Sequence, residues 1–95
     1  MRETCRGVIF KGNKVLLIYR ERDREQYYVF PGGKIEKYET KEDCIIRECK
    51  EELGITVSPI KYLYKVIGSD FIQHFYLCDW INGEIGTGDK KRIWC

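Results

Sequence analysis

Short runs of β-branched and aliphatic residues dominate the first third of the 95-residue chain. One run covers residues 6–10 and the next covers residues 14–20, with Gly12-Asn13 between them. Two apolar runs separated by such a turn are typical of a β-hairpin. The stretch 21–26 is charged and has no apolar residue, so it predicts a solvated loop. Residues 27–30 predict a short strand.

Apolar residues at helical spacing follow the glycine turn at residues 31–33. Thr40 can cap the amino terminus of a helix, with Asp43 three residues on as its partner in a capping-box-like pattern. The helix is predicted to run to about Leu53, and Gly54 provides a left-handed stop after it. The residues whose helical spacing predicts the buried face are Ile46, Cys49 and Leu53.

The second half of the chain has the pattern of further strands. These strands are predicted over residues 55–57, 61–67 and 71–80. Pro59 breaks the first from the second, and a turn at residues 68–70 joins the second to the third. No internal repeat and no second domain are visible, so we predict one domain over residues 1–95.

Composition narrows the class of protein. A hydrophobic content of 43% is typical of a packed globular chain. The 17 basic residues are interleaved with 15 acidic ones, so we expect no stable nucleic-acid partner. Five cysteines without a CxxC pair indicate free thiols packed as small apolar groups and predict a reducing, cytoplasmic setting. No apolar run approaches the roughly 20 residues of a membrane span, so no membrane association is expected.

Carboxylates cluster along the predicted helix. Glu48, Glu51 and Glu52 stand at i, i+3 and i+4, so their side chains share one face. Like charges at this spacing weaken a helix by a few tenths of a kcal/mol each. A bound divalent cation would offset the repulsion, and clustered carboxylate oxygens suit Mg²⁺ or Mn²⁺.

The loop before the helix supplies a second part of the pattern. Gly32 and Gly33 let the backbone approach a ligand closely, and such a loop can present backbone groups to an anion. Arg47 can reach back to Glu39 and tie the loop to the helix. Taken singly, each feature has a structural explanation, because an acidic helix face is usually solvated and Pro-Gly-Gly is usually only a turn.

The combination follows the pattern G-x5-E-x7-R-E-U-x-E-E-x-G-U, in which U is a bulky apolar residue. The matching residues are Gly33, Glu39, Arg47, Glu48, Glu51, Glu52, Gly54 and Ile55. The first U position departs from the pattern, because Cys49 is apolar but small. On these residues the sequence resembles the Nudix hydrolases, over about residues 5–80.

This resemblance implies a strand-loop-helix-loop unit in an α/β/α sandwich with a mixed sheet. It implies hydrolysis of a nucleoside diphosphate linked to another group. The metal ligands that it implies, for Mg²⁺ or Mn²⁺, are the Gly33 carbonyl, Glu48, Glu51 and Glu52. Glu39 and Arg47 would pair and hold the loop on the helix. One of the three helix glutamates would take the proton from the attacking water, and which one stays open.

Family members usually continue with another strand and a C-terminal helix, whereas this chain stops at Cys95. We therefore expect the sandwich to lack these two elements. Either the chain is a fragment or a partner covers the exposed sheet face, and a homodimer is the partner that we predict. The alternative to an active hydrolase is a non-catalytic nucleotide-binding or interaction module on the same fold.

The resemblance implies a nucleoside diphosphate derivative as the substrate, and the sequence does not specify which one. The late acids that can add a metal ligand or a base are Glu84 and Asp89. The aromatic residues that can stack on a base, although strand aromatics more often belong to the core, are Tyr27, Tyr28, Phe71 and Tyr76. The arginines that can meet phosphates, although we favour plain surface, are Arg20, Arg22 and Arg24. His74 is predicted to be a strand residue rather than a ligand.

Overall fold

The computed structural model describes residues 1–84 and 92–95, which form one mixed β-sheet and one α-helix. The strands are β1 (Arg2–Lys11), β2 (Lys14–Arg22), β3 (Glu25–Val29), β4 (Gly32–Lys34), β5 (Thr56–Ile67), β6 (Phe71–Asn82) and β7 (Arg92–Trp94). The helix is α1 (Lys41–Leu53). Element order along the chain therefore places the helix between β4 and β5.

The sheet has the strand order β3-β2-β1-β6-β5, with β4 paired to β1 and β7 paired to β2. Strands β1 and β6 run parallel, whereas the other pairs are antiparallel. The prediction of a mixed sheet is therefore confirmed. Strand β1 lies at the centre, because it pairs with β2, β4 and β6.

The charged stretch 21–26 is not a loop as the sequence predicted. Strand β2 continues to Arg22 and β3 begins at Glu25, so that only Asp23 and Arg24 form the turn. Both turn residues have positive φ angles, 52° and 68°, which suit the twist of a two-residue hairpin. The prediction failed because it took the lack of apolar residues as a sign of a loop. An exposed two-stranded ribbon is held by backbone hydrogen bonds and does not need buried side chains.

Helix α1 has the predicted ends but a different buried face. Thr40 accepts a hydrogen bond from the Asp43 backbone N–H at 3.0 Å, and Gly54 follows the helix with a φ of 76°. Ile46 is 37% exposed, so the prediction that it is buried was wrong. Its neighbour Ile45 is buried instead, because a position four residues before Cys49 lies on the same side of the helix. The residues of α1 that are buried are Cys44, Ile45, Cys49, Glu52 and Leu53.

The prediction that Pro59 separates two strands was wrong. Strand β5 runs through Pro59, from Thr56 to Ile67. Its Cα is paired with that of Cys78, and the register shifts between Pro59 and Lys61. A proline is tolerated on an edge strand, where the missing N–H need not serve a neighbour on both sides. Among the described residues β5 is such an edge, with β6 as its only partner.

The core lies between α1 and one face of the sheet. Four of the five cysteines lie in it as free thiols, as predicted, and Cys95 is exposed. The helix of the described residues covers this one face of the sheet. No helix in the described part of the chain has the length and apolar character that a membrane span needs.

Candidate functional site

Strand β4 brings two glycines against the carboxylates of α1. The Gly32 N–H donates to Oε1 of Glu52 at 3.0 Å. A Cβ atom at Gly33 would lie 2.7 Å from the carboxylate carbon of Glu48, and one at Gly32 would lie 1.9 Å from the carbonyl oxygen of Cys5. The backbone approaches two carboxylates this closely because neither position carries a side chain.

Glu52 is a buried carboxylate with two partners. It is 4% exposed, and besides the Gly32 N–H it accepts a hydrogen bond from Nη2 of Arg20 at 3.1 Å. Burial raises the pKa of Glu52, and the charge of Glu48 raises it further, against the opposing effects of Gly32 and Arg20. The carboxylate therefore lies in a dry environment and is held by specific donors.

Glu48 and Glu51 meet the same guanidinium group. Nη1 of Arg47 lies 3.0 Å from Oε1 of Glu48 and 3.3 Å from Oε2 of Glu51. Glu48 is mostly buried, and burial raises its pKa while Arg47 acts in the opposite direction. Glu51 is exposed, so it is the most accessible carboxylate of the three.

Arg47 also holds the loop before the helix. Its Nε donates to Oε2 of Glu39 at 2.7 Å and its Nη2 donates to Oε1 of Glu39 at 3.1 Å, which is a bidentate pair. Nη2 reaches the carbonyl of Lys34 at 3.2 Å as well. The hydrogen bonds from Arg47 lower the pKa of Glu39. The structure thus brings Glu39 and Arg47 into contact, and their role in catalysis stays a prediction.

The donors available to a metal are carboxylate and carbonyl oxygens. Glu48 and Glu52 flank the two glycines, and the Gly33 carbonyl lies 3.5 Å from Sγ of Cys44. Within the described residues, no three side chains of histidine, cysteine, aspartate or glutamate converge on one point that could hold a metal. The donor set is nevertheless one of hard oxygens, which fits Mg²⁺ or Mn²⁺ in its chemistry.

The sequence analysis favoured Arg20 as a plain surface residue, and the structure instead places it against the candidate site. Its guanidinium binds Glu52, 32 positions away in the chain, whereas Arg22 and Arg24 are exposed as expected. Arg6 was missed altogether, and it donates to the carbonyls of Phe30 and Gly32 at 3.1 and 3.0 Å. The available signal was an arginine within an otherwise apolar central strand, because a charge in such a place needs partners.

The remaining candidates lie elsewhere or outside the described residues. Asp89 belongs to the residues that the structure does not describe, and Glu84 is exposed after β6. His74 is hydrogen-bonded to Tyr62 and Glu3, both at 2.9 Å, so it is a strand residue with local partners. Tyr76 is buried in the core, whereas Tyr28 is half exposed beside the ring of Tyr19.

Comparison with known proteins gives a consistent result. The family model for the NUDIX domain matches residues 1–94. An ADP-ribose pyrophosphatase of Methanocaldococcus jannaschii is 36% identical over 94 residues, which cover 90% of this chain and 55% of that protein. A CTP pyrophosphohydrolase of Escherichia coli is 34% identical over 102 aligned positions, which cover 100% of this chain and 76% of that protein.

A solved structure agrees with these sequence matches. MutT, from work on Aliivibrio salmonicida and Vibrio cholerae, superposes with a TM-score of 0.85 at 25% identity and covers 99% of this chain and 78% of that one. The present chain spans about half the length of the archaeal relative. The similarity therefore concerns the domain that carries the glycine turn and the acidic helix.

Proposed function

Because the chain belongs to the Nudix family, we propose that it is a metal-dependent hydrolase that cleaves the diphosphate of a nucleoside diphosphate derivative. Relatives named for ADP-ribose and CTP support this class of substrate. Members of the family generally depend on divalent metals. The substrate of this chain within that class stays open.

The observation that carries the proposal is that a buried carboxylate, Glu52, and a partly buried one, Glu48, lie against two glycines. Glu52 meets the Gly32 N–H, and Glu48 lies where a side chain at Gly33 would be. A buried carboxylate that keeps its charge costs free energy unless it is paired or coordinates a cation. Such an arrangement is hard to explain as a solvated helix surface, since Glu52 is not solvated.

We assign roles to the chain's own groups as follows. Glu48, Glu51, Glu52 and the Gly33 carbonyl would hold Mg²⁺ or Mn²⁺, and the bound ion would neutralise phosphoryl charge and make a water nucleophilic. Burial raises the pKa of the Glu52 carboxyl group. One of these three glutamates would accept the proton of the attacking water, and which one stays open.

The remaining groups position this machinery. The bidentate pair of Glu39 and Arg47 fixes the loop relative to α1. Arg20 orients the Glu52 carboxylate and keeps further donors for a phosphate oxygen. Most of the protein's contribution to diphosphate hydrolysis is positioning of this kind, because the chemistry itself is carried by the metal and the water.

The substitution Glu52→Gln tests the assignment. It keeps an acceptor for the Gly32 N–H but removes the charge, so hydrolysis should fall by about a hundredfold or more. The measurement is release of phosphate or nucleotide from a panel of nucleoside diphosphate derivatives, including ADP-ribose and CTP, with Mg²⁺ or Mn²⁺. The matched control is Glu42→Gln on the exposed side of the same helix, which should retain activity.

Two results would contradict the proposal. Full activity of the Glu52→Gln variant would show that the site has been assigned wrongly. Tight nucleotide binding by the wild type without turnover at saturating metal would favour the non-catalytic binding module instead.

A further inference from the structure

A cavity of about 240 Å³ lies beside the glycine turn, on the face of the sheet opposite α1. The side chains of β1 alternate between the two faces of the sheet, and this alternation shows on which face the cavity lies. A side chain at Gly7 would meet Ile45 and Cys78, so Gly7 faces α1 and its neighbour Arg6 faces away from the helix. The residues that line the cavity are Arg6, Tyr28, Val29, Phe30, Tyr64, Gln73 and Phe75.

One side of the cavity is lined by aromatic rings, of which Phe75 is buried and Tyr64 is about half exposed. The ring of Phe75 stacks on that of Tyr64, with 4.7 Å between centroids and 11° between planes. The ring of Phe30 meets Phe75 edge-on, at 5.9 Å and 84°. Aromatic faces of this kind can stack on a planar ring of a ligand.

The other side of the cavity carries a buried cation. Arg6 is 7% exposed and lies between Gly32 of β4 and Phe75 of β6 in the strand register. Its Nη1 donates to two backbone carbonyls, and within the described residues no carboxylate forms an ion pair with it. Two carbonyl contacts occupy one nitrogen of the guanidinium, and the remaining N–H groups are available to a ligand.

Glu52 and Glu48 act on the charge of Arg6 from a distance, but they form their ion pairs with Arg20 and Arg47. Burial lowers the pKa of Arg6 and the neighbouring charge of Arg20 lowers it further, while Glu52 and Glu48 act in the opposite direction. Buried charges in proteins are normally paired, because an isolated one costs several kcal/mol. An anion that entered the cavity would supply the missing partner.

A second buried polar group lies on the same face of β1. Thr4 is two residues before Arg6 and is paired in register with Gln73, which lines the cavity. It is 3% exposed, and its Oγ1 has no hydrogen-bond partner in the described part of the protein. Buried hydroxyl groups without a partner are rare, and a polar ligand or a bound water would satisfy this one.

We infer that Arg6 binds a phosphate group of the substrate, with the planar ring of the same substrate against the exposed ring of Tyr64, which itself stacks on Phe75. The inference rests on the proposed function for its substrate class, and it adds a residue outside the glycine turn and the acidic helix. Two sources could supply the phosphate. One is the diphosphate that is cleaved, and the other is a further phosphate on the ribose.

Binding to metal-free protein tests this inference separately from turnover. Wild type and Arg6→Gln are titrated by calorimetry with nucleoside 5′-diphosphates of the four bases, the matching nucleosides and the nucleoside 2′- and 3′-phosphates. Loss of a charge-assisted contact should weaken binding of the phosphate-bearing ligand about tenfold or more and leave nucleoside binding unchanged. A loss confined to 5′-diphosphates identifies the cleaved diphosphate as the source, and one confined to 2′- or 3′-phosphates identifies the ribose phosphate.

The matched control is Arg2→Gln, an exposed arginine on the same face of β1, which should bind every ligand like the wild type. A purely structural role of Arg6 would weaken nucleoside and nucleotide binding alike, and that result would overturn the inference. Equal affinities of wild type and Arg6→Gln would overturn it too, as would a wild type that binds no phosphate-bearing nucleotide.

Should Arg6→Gln fail to fold by circular dichroism, Arg6→Lys decides the question. It keeps the charge but not the planar fork, so it should bind the nucleotide measurably more weakly and the nucleoside equally well. Unchanged nucleotide affinity in a folded Arg6→Lys protein would overturn the inference. Hydrolysis by the wild type is measured independently, so failure of the proposed function and failure of this inference give different results.

Discussion

Single residues of the site differ in how much the fold depends on them. Gly32 is required by the backbone, since its φ is 144° and a Cβ there would overlap the Cys5 carbonyl. Gly33 is different, because the atoms that a Cβ would meet belong to the end of the Glu48 side chain. The first glycine therefore serves folding, whereas the second keeps space for a functional carboxylate.

This difference predicts the effect of Gly33→Ala. The Glu48 carboxylate must move away from the new methyl group, so metal-dependent hydrolysis should fall by about a hundredfold, as misplacement by about 1 Å commonly does. Stability should change by about 1 kcal/mol or less, because a flexible side chain can shift. Hydrolysis and urea unfolding are measured on the same preparations.

The control for Gly33→Ala is Gly12→Ala in the first hairpin. A Cβ at Gly12 meets no atom within 4 Å, but its φ of 62° makes the substitution cost about 1 kcal/mol. This control should lose stability and keep its activity, the reverse of Gly33→Ala. Full activity of Gly33→Ala would contradict the assignment of Glu48 to the metal.

At the scale of elements, helix α1 packs into the core on one side and carries the side chains of the candidate site on the other. Cys49 and Leu53 fix it in the core, Glu52 meets the glycine turn, and Arg47 reaches the preceding loop. The loop has further attachments in the described residues, since the Ile35 N–H donates to the Glu3 carbonyl at 3.1 Å and the Cys44 thiol lies 3.5 Å from the Lys34 carbonyl. The pair of Glu39 and Arg47 differs from these because it joins loop and helix through two charge-assisted hydrogen bonds.

The substitution Glu39→Gln should destabilise the protein in a pH-dependent way. Hydrogen bonds from Arg47 lower the pKa of Glu39 from 4.5, so the pair stabilises the folded state fully above that pH. The stabilisation is lost as the pH falls through the lowered folded pKa. Urea unfolding should show a loss of about 1.5 kcal/mol at pH 7, which shrinks as the pH falls below 4.5.

The matched control for this prediction is Glu36→Gln. Glu36 also lies within 3.6 Å of Arg47, but its side chain is two-thirds exposed, so its loss should change stability little at any pH. A difference between wild type and Glu39→Gln that does not vary with pH would mean that packing, and not the charge, carries the effect.

The elements also show which features a sequence can predict. Helix α1, its caps and the contact of Arg47 with Glu39 depend on residues close together in the chain, and the sequence was sufficient for them. The contact of Arg20 with Glu52 and the position of Arg6 depend on which strands become neighbours. The parallel pairing of β1 with β6 joins segments about 70 residues apart, and local periodicity contains no information about it.

At the scale of the whole molecule, the sheet is unequally covered. Strand β5 is an edge in the described part of the chain, and residues 60–67 along it are all exposed. Several of them are large and apolar, with Ile67 at 61% exposure. An edge strand with unpaired backbone groups and apolar side chains is a template for pairing with another chain. Lys61 and Lys65 on the same strand oppose such pairing, so we expect it to be weak.

The predicted homodimer can be argued from this strand. Two copies of β5 related by a twofold axis would pair antiparallel, and each would cover the apolar side chains of the other. The weight-average mass in sedimentation equilibrium should therefore rise from monomer towards dimer between micromolar and millimolar concentration.

Ile67→Lys should shift this transition to higher concentration, because it places a further charge in the interface. Phe10→Lys, at an exposed apolar residue in the first hairpin, should leave the transition unchanged. A wild type that stays monomeric over the whole range would show that the homodimer prediction is wrong, and equal shifts by both variants would mean that general hydrophobicity, and not the β5 edge, drives the association.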